Sequence, residues 1–102
     1  MALSQTTNGV DANSTSSVTT AIDMDGYFFV GMYVEGATGT HATHIVTLQS
    51  SPDGTTWFDT THAITGVGSD TEINCYTNYI RAKVTTAEGG ASTVNIYLIV
   101  KP

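Results

Sequence analysis

Basic side chains are scarce in this chain. Arg81, Lys83 and Lys101 stand against nine acidic residues, giving a formal charge of −6 and a pI near 4.5. A duplex-binding protein must neutralise several phosphates, so nucleic acid is not expected as a partner. Anionic membrane surfaces are disfavoured for the same reason, and no run approaches the ~20 apolar residues of a spanning helix. Cys75 is the only cysteine, so no intrachain disulfide can form. It is expected to serve as a small apolar strand residue, because no activating neighbour is readable beside it.

Catalytic signatures are missing too. There is no GxSxG elbow, no Walker loop and no Gly-x-Gly-x-x-Gly before a helix. His41, His44 and His62 lack the CxxC or HExxH context of a zinc site, and Asp23-Met24-Asp25-Gly26 lacks the later ligands of a calcium loop. Asp70 and Glu72 share a strand face with nothing nearby to separate their pKa values. The expectation is a non-enzymatic protein without metal or cofactor. The opening MALSQTTNGV has neither a basic n-region nor an apolar h-region, so it does not read as a secretory signal. Use in a cytosol, or in a particle assembled there, is expected.

What the chain does have is Thr, Ser and Gly, with short β-rich runs broken by turn residues. The runs are Ser17–Asp23, Tyr27–Glu35, Thr43–Ser50, Trp57–Ile64, Thr71–Tyr76, Tyr79–Thr86 and Ser92–Lys101. No segment carries an uninterrupted i, i+3, i+4, i+7 apolar pattern. Its 102 residues suffice for one domain. The fold class is therefore all-β: an antiparallel β-sandwich of seven strands, or eight if part of the N-terminus pairs, jelly-roll or immunoglobulin-like. Residues 1–15 are expected to be an extended polar N-terminal arm and residues 16–102 the sandwich.

Period-two alternation assigns faces. Val94, Ile96, Leu98 and Val100 point inward, as do Ile80, Ala82 and Val84, and Phe28, Val30, Met32 and Val34. Tyr27, Phe29, Gly31, Tyr33 and Glu35 then point outward. Phe29 and Tyr33 flank Gly31 and form an apolar strip on a nominally wet face. It is either a shielded surface pair or a contact with another chain.

The hairpin SSPDGTTWFDT leaves two registers open. A three-residue loop pairs Leu48 with Phe58, putting Phe58 inside and Trp57 outside beside Gln49 and Thr47. A two-residue loop pairs Leu48 with Asp59, turns Trp57 inward and places Asp59 on the apolar face. The first is preferred; it also sets His44 opposite His62. An outward Trp57 joins Phe29 and Tyr33 as a contact residue, and with Tyr76 and Tyr79 it is a candidate for stacking a sugar. The segment superficially matches the Asp-box of sialidase propellers, but it is one residue short and occurs once.

SSPDGTTWFDT, NYIRAKVTT and STVNIYLIVKP together resemble small β-sandwich structural proteins of tailed-bacteriophage virions, capsid cement (decoration) proteins in particular. The likeness covers roughly residues 43 to 101. It implies a protein on the capsid exterior, assembled in the host cytoplasm, binding the major capsid protein and forming a homo-oligomer, often a trimer. The alternative is a tail or fibre module that binds carbohydrate or a receptor, since similar hairpins occur in discoidin-like carbohydrate-binding modules.

Overall fold

The computed structural model describes residues 3–102. Its strands are β1 (Leu3–Asp11), β2 (Ile22–Asp23), β3 (Phe29–Gly39), β4 (Ile45–Ser51), β5 (Phe58–Thr65), β6 (Gly68–Asn74), β7 (Tyr79–Thr86) and β8 (Ser92–Lys101). No helix occurs among the described residues. One four-stranded sheet has the order β1-β8-β3-β6 and the other β2-β7-β4-β5.

The pairings β1 with β8, β2 with β7, β3 with β6 and β4 with β5 are all antiparallel. They are the rungs of one long hairpin folded between β4 and β5. Rolling that hairpin and stitching β8 to β3 and β7 to β4 yields the two sheets. This is jelly-roll order, which decides between the two sandwich families expected from the sequence.

The core lies between the sheets. Val30, Met32 and Val34, then Ile80, Ala82 and Val84, then Val94, Ile96, Leu98 and Val100 are all buried, as alternation requires. Val46, Leu48, Ile64 and Ile73 join them, with Met24 and Cys75 towards one end. Full burial of each large aliphatic stabilises the fold by about 1.5–3 kcal/mol, so this layer dominates the favourable side of the balance.

The polar N-terminal segment is extended but not free. Leu3 to Asp11 zip onto β8 with one bulge after Thr7, which supplies the eighth strand. The first two residues of the expected arm lie outside the described residues. By contrast, the run Ser17–Asp23 reduces to Ile22–Asp23 and a lone Val18–Lys83 bridge. The Thr19 hydroxyl there accepts the Ala82 amide, replacing a ladder bond by a side-chain bond.

Tyr27 and Phe28 exchange the roles that alternation gives them. Asp25 (φ 47°) and Gly26 (φ 82°) are left-handed, and the Tyr27 amide closes this turn on the Met24 carbonyl at 2.7 Å. Period two starts only at Phe29, so Tyr27 packs against the core while Phe28 is half-buried at its edge. At its other end β3 runs past Glu35, where the expected run stops, through residues 36–39, with a bulge after Gly36 and a last pair Gly39–Ser92.

Gly39 has φ 77°, and a Cβ there would stand 2.2 Å from the Ala91 carbonyl oxygen. Backbone on both sides has to move to admit it. Gly39→Ala is expected to destabilise the fold by at least ~2 kcal/mol, read as a lower urea midpoint at unchanged slope.

The SSPDGTTWFDT hairpin follows neither expected register. Gln49 pairs with Asp59 and Ser50 with Phe58, so residues 52–57 loop out while Ser51 stays paired with Tyr79 of β7. Side chains hold this wider turn: the Ser51 hydroxyl accepts the Gly54 amide at 2.8 Å, and Asp53 Oδ1 accepts those of Thr55 and Thr56 at 2.9 and 2.8 Å. These amide donors hold the Asp53 carboxyl well below the usual carboxylate range. Phe58, expected inside, is 58% exposed. His44 does not face His62 either; its carbonyl accepts the Gly66 amide, while the His62 ring meets Asp70 at 3.0 Å.

Candidate functional site

The outer faces of the two sheets are finished differently. On β2-β7-β4-β5 the polar groups satisfy one another. Thr47 and Thr85 share a hydroxyl bond of 2.7 Å, Arg81 donates to Gln49, and Gln49 donates to Asp59. Trp57 is half-buried with the Arg81 guanidinium 4.3 Å above its ring, a cation–π contact that covers one ring face. Trp57 is thus outside the core, as preferred, but largely committed within its own chain.

The face of β1-β8-β3-β6 is apolar at its centre. Phe29 and Tyr33 of β3 are 45% and 37% exposed. The register sets Gly31 beside Ile99 and Tyr33 beside Tyr97, which widens the expected strip across two strands. Gly31 leaves a shallow floor between Tyr33 and Ile99. The Tyr33 ring divides two furrows. One of about 490 Å³ is lined by Tyr33, Glu35, Ser69, Tyr97 and Ile99. A smaller one of about 160 Å³ lies among Phe29, Gly31, Thr71, Ile99 and Lys101.

Glu35 borders the larger furrow and fixes one wall. Its Oε1 accepts from Asn95 at 2.9 Å and from the Tyr97 hydroxyl at 3.0 Å. Those two bonds lower the Glu35 pKa and raise that of Tyr97. Tyr97 is therefore held in place before any partner arrives, which reduces the side-chain entropy lost on contact.

The three candidate sugar-stacking residues do not form one platform. Trp57 lies against Arg81, and Tyr79 is half-buried under Gly54. Tyr76 is 80% exposed and stacks on Phe28, with centroids 5.1 Å apart and planes at 13°.

Sequence reasoning missed Glu88 altogether. It lies between β7 and β8, and only 6% of it is exposed. Its carboxylate accepts the amides of Ala42, Thr43 and His44 and the Thr43 hydroxyl, at 2.9 to 3.2 Å. Its own amide donates to Ala12, and its carbonyl accepts the Asn13 side chain. Adding the Gly66–His44 bond, one knot ties all four connections at this end of the sandwich. The Thr43 amide and the other donors hold Glu88 down to about 2 against the opposing effect of burial.

Beside it, the His44 ring is fully buried with Nδ1 unpartnered among the described residues, and its Nε2 is 3.3 Å from Nδ1 of His41. Burial pushes the His44 pKa down; Glu88 opposes this and His41 adds to it.

Both shifts give stability that acid removes. His44 binds a proton more readily unfolded, so its contribution falls as pH drops below ~6.5. Glu88, ionised when folded, loses its contribution as pH falls from its unfolded value of ~4.3 towards about 2. A calorimetric series is expected to show a flat midpoint above pH 7, a decline below 6.5 and a steeper one below 4.5. A midpoint rising between pH 7 and 5 would contradict the assignment of a buried neutral His44.

Fold and surface together define an eight-stranded jelly roll with an uncovered apolar centre on one sheet. A scan against protein-family models finds no match, and a search of curated proteins finds no relative.

Proposed function

We propose that the protein is a non-enzymatic assembly protein of a tailed-bacteriophage virion, a cement protein that binds the outer surface of the major capsid protein shell. The observation that carries this reading is the asymmetry between the two outer faces. One is closed by its own hydrogen bonds and the Trp57–Arg81 stack. The other presents Phe29, Tyr33, Tyr97 and Ile99 around two furrows. Interfaces concentrate aromatic residues at their centres with polar groups around them, and Glu35, Asn95, Ser69 and Thr71 surround this centre.

The uncovered face is assigned to self-association, a trimer being the form that the resemblance implies. The jelly roll also recurs in viral coat domains, support by analogy of fold alone. Repetition over a shell makes individually weak contacts collectively strong. Purified protein is expected to self-associate and to co-sediment with capsid shells that lack it. A monomer at all concentrations that leaves the shells bare would rule the reading out.

A further inference from the structure

The end of the sandwich opposite Glu88 is organised differently. There the β2–β3, β4–β5 and β6–β7 connections meet around an open cleft of about 390 Å³, lined by Gly26, Tyr27, Phe28, Pro52, Tyr76, Thr77 and Asn78. Its loops are tied to one another. The Thr77 hydroxyl donates to Ser51 O, the Asn78 amide side chain to Pro52 O, the Met24 amide to Asn78 O and the Cys75 amide to Phe28 O, at 2.8 to 3.0 Å. Loops held on a rigid sandwich end are where such folds place recognition.

From this geometry we infer that the cleft is a binding site for a neutral pyranose, presented as a terminal or internal sugar of a glycan. Tyr76 supplies the platform. One ring face is stacked on Phe28 and the other is open, so a flat apolar surface is fixed before the ligand arrives. A sugar offers axial C–H groups to such a surface and hydroxyls to its surroundings. Asn78 spends its NH2 on Pro52 and keeps Oδ1 as an acceptor. The volume falls in the range of small-ligand clefts.

Charge selects the class of sugar. Exposed Asp25 and Asp53 directly precede or follow the lining residues Gly26 and Pro52, and exposed Asp23 ends β2 two residues before Asp25, against one ammonium, Lys101, paired with Phe29 across from β3. Sialic and uronic acids are repelled, and neutral or N-acetylated sugars are not. Aromatic grooves also accept proline-rich peptides. The pairing of one open ring face with adjacent hydrogen-bonding groups favours the sugar.

The test is an amide-resolved NMR titration of the full chain. Probes are the methyl glycosides of glucose, galactose, mannose and N-acetylglucosamine, with 3′-sialyllactose and a proline-rich decapeptide for comparison. At least one neutral glycoside is expected to shift Gly26 and residues 76–78. Tyr76→Ala should weaken it about tenfold, and Tyr76→Phe should bind like the native chain. Tyr76→Phe keeps the ring and should keep the native melting point, Tyr76→Ala loses the Phe28 stack and should melt a few degrees lower, and both should self-associate and bind shells as before.

No response to any neutral sugar would overturn the inference. So would binding unchanged in Tyr76→Ala, or a response confined to sialyllactose or to the peptide. None of these outcomes touches the cement reading, which the Tyr33 face carries.

Discussion

Glu88→Ala is expected to lower the thermal midpoint by roughly 10 °C or more. The carboxylate it removes accepts three backbone amides and a hydroxyl from a segment 44 to 46 residues away in sequence. Ala42 and Thr43 are exposed and can recover water, but His44 is buried, so its amide is left without an acceptor. Glu88→Gln keeps one carbonyl oxygen for the amides and should fall between the two. It should also lose the steep decline of stability below pH 4.5 that an ionised Glu88 produces. Scanning calorimetry at pH 7 and pH 3 reads both effects. If Glu88→Ala melts within 2–3 °C of the native chain, a margin small for a domain of this size, Glu88 does not hold this end of the sandwich together.

Tyr33→Glu is expected to abolish self-association while leaving the fold intact. Tyr33 forms a wall of both furrows and faces solvent on the isolated chain. Replacing it there changes stability by no more than the ~1 kcal/mol span of strand preferences. In the proposed assembly the same position would sit at an aromatic centre, where truncations commonly remove ~2 kcal/mol or more, about a thirtyfold loss per contact. A carboxylate next to Glu35 adds like-charge repulsion to a chain already at −6. Sedimentation velocity should show the variant at the 10.7 kDa chain mass at concentrations where the native chain is larger. An assembly equally stable in both proteins would move the interface elsewhere.

Legibility of the fold followed the position of each strand in its sheet. Tyr79–Thr86 and Ser92–Lys101 are β7 and β8 to the residue. Both have neighbours on either side, so strict alternation is enforced along their whole length. LSQTTNGVD has only Val10 buried; it is a strand because β8 offers it a ladder, which no local pattern records. The SSPDGTTWFDT register failed for a related reason. Turn propensities describe a backbone turn, whereas Ser51 and Asp53 build a wider one from their side chains.

The candidate face was half legible. Phe29 and Tyr33 stand out by period two around Gly31, but their partners Tyr97 and Ile99 come from β8 and appear only with the register. The Phe28–Tyr76 stack needs the left-handed turn at Asp25-Gly26, which breaks the alternation that placed Phe28 inside. Glu88 gave no signal at all. A single acidic residue before two glycines reads as a solvated loop, and every group it holds is distant in sequence.

The most direct test of the central claim is the protein's position in an intact particle, by electron cryo-microscopy of virions carrying an antibody fragment against this chain. The expected result is regular density over the outside of the shell, with copies meeting through the Phe29–Tyr33 face. Density confined to the tail tip, or none on the particle, would contradict it.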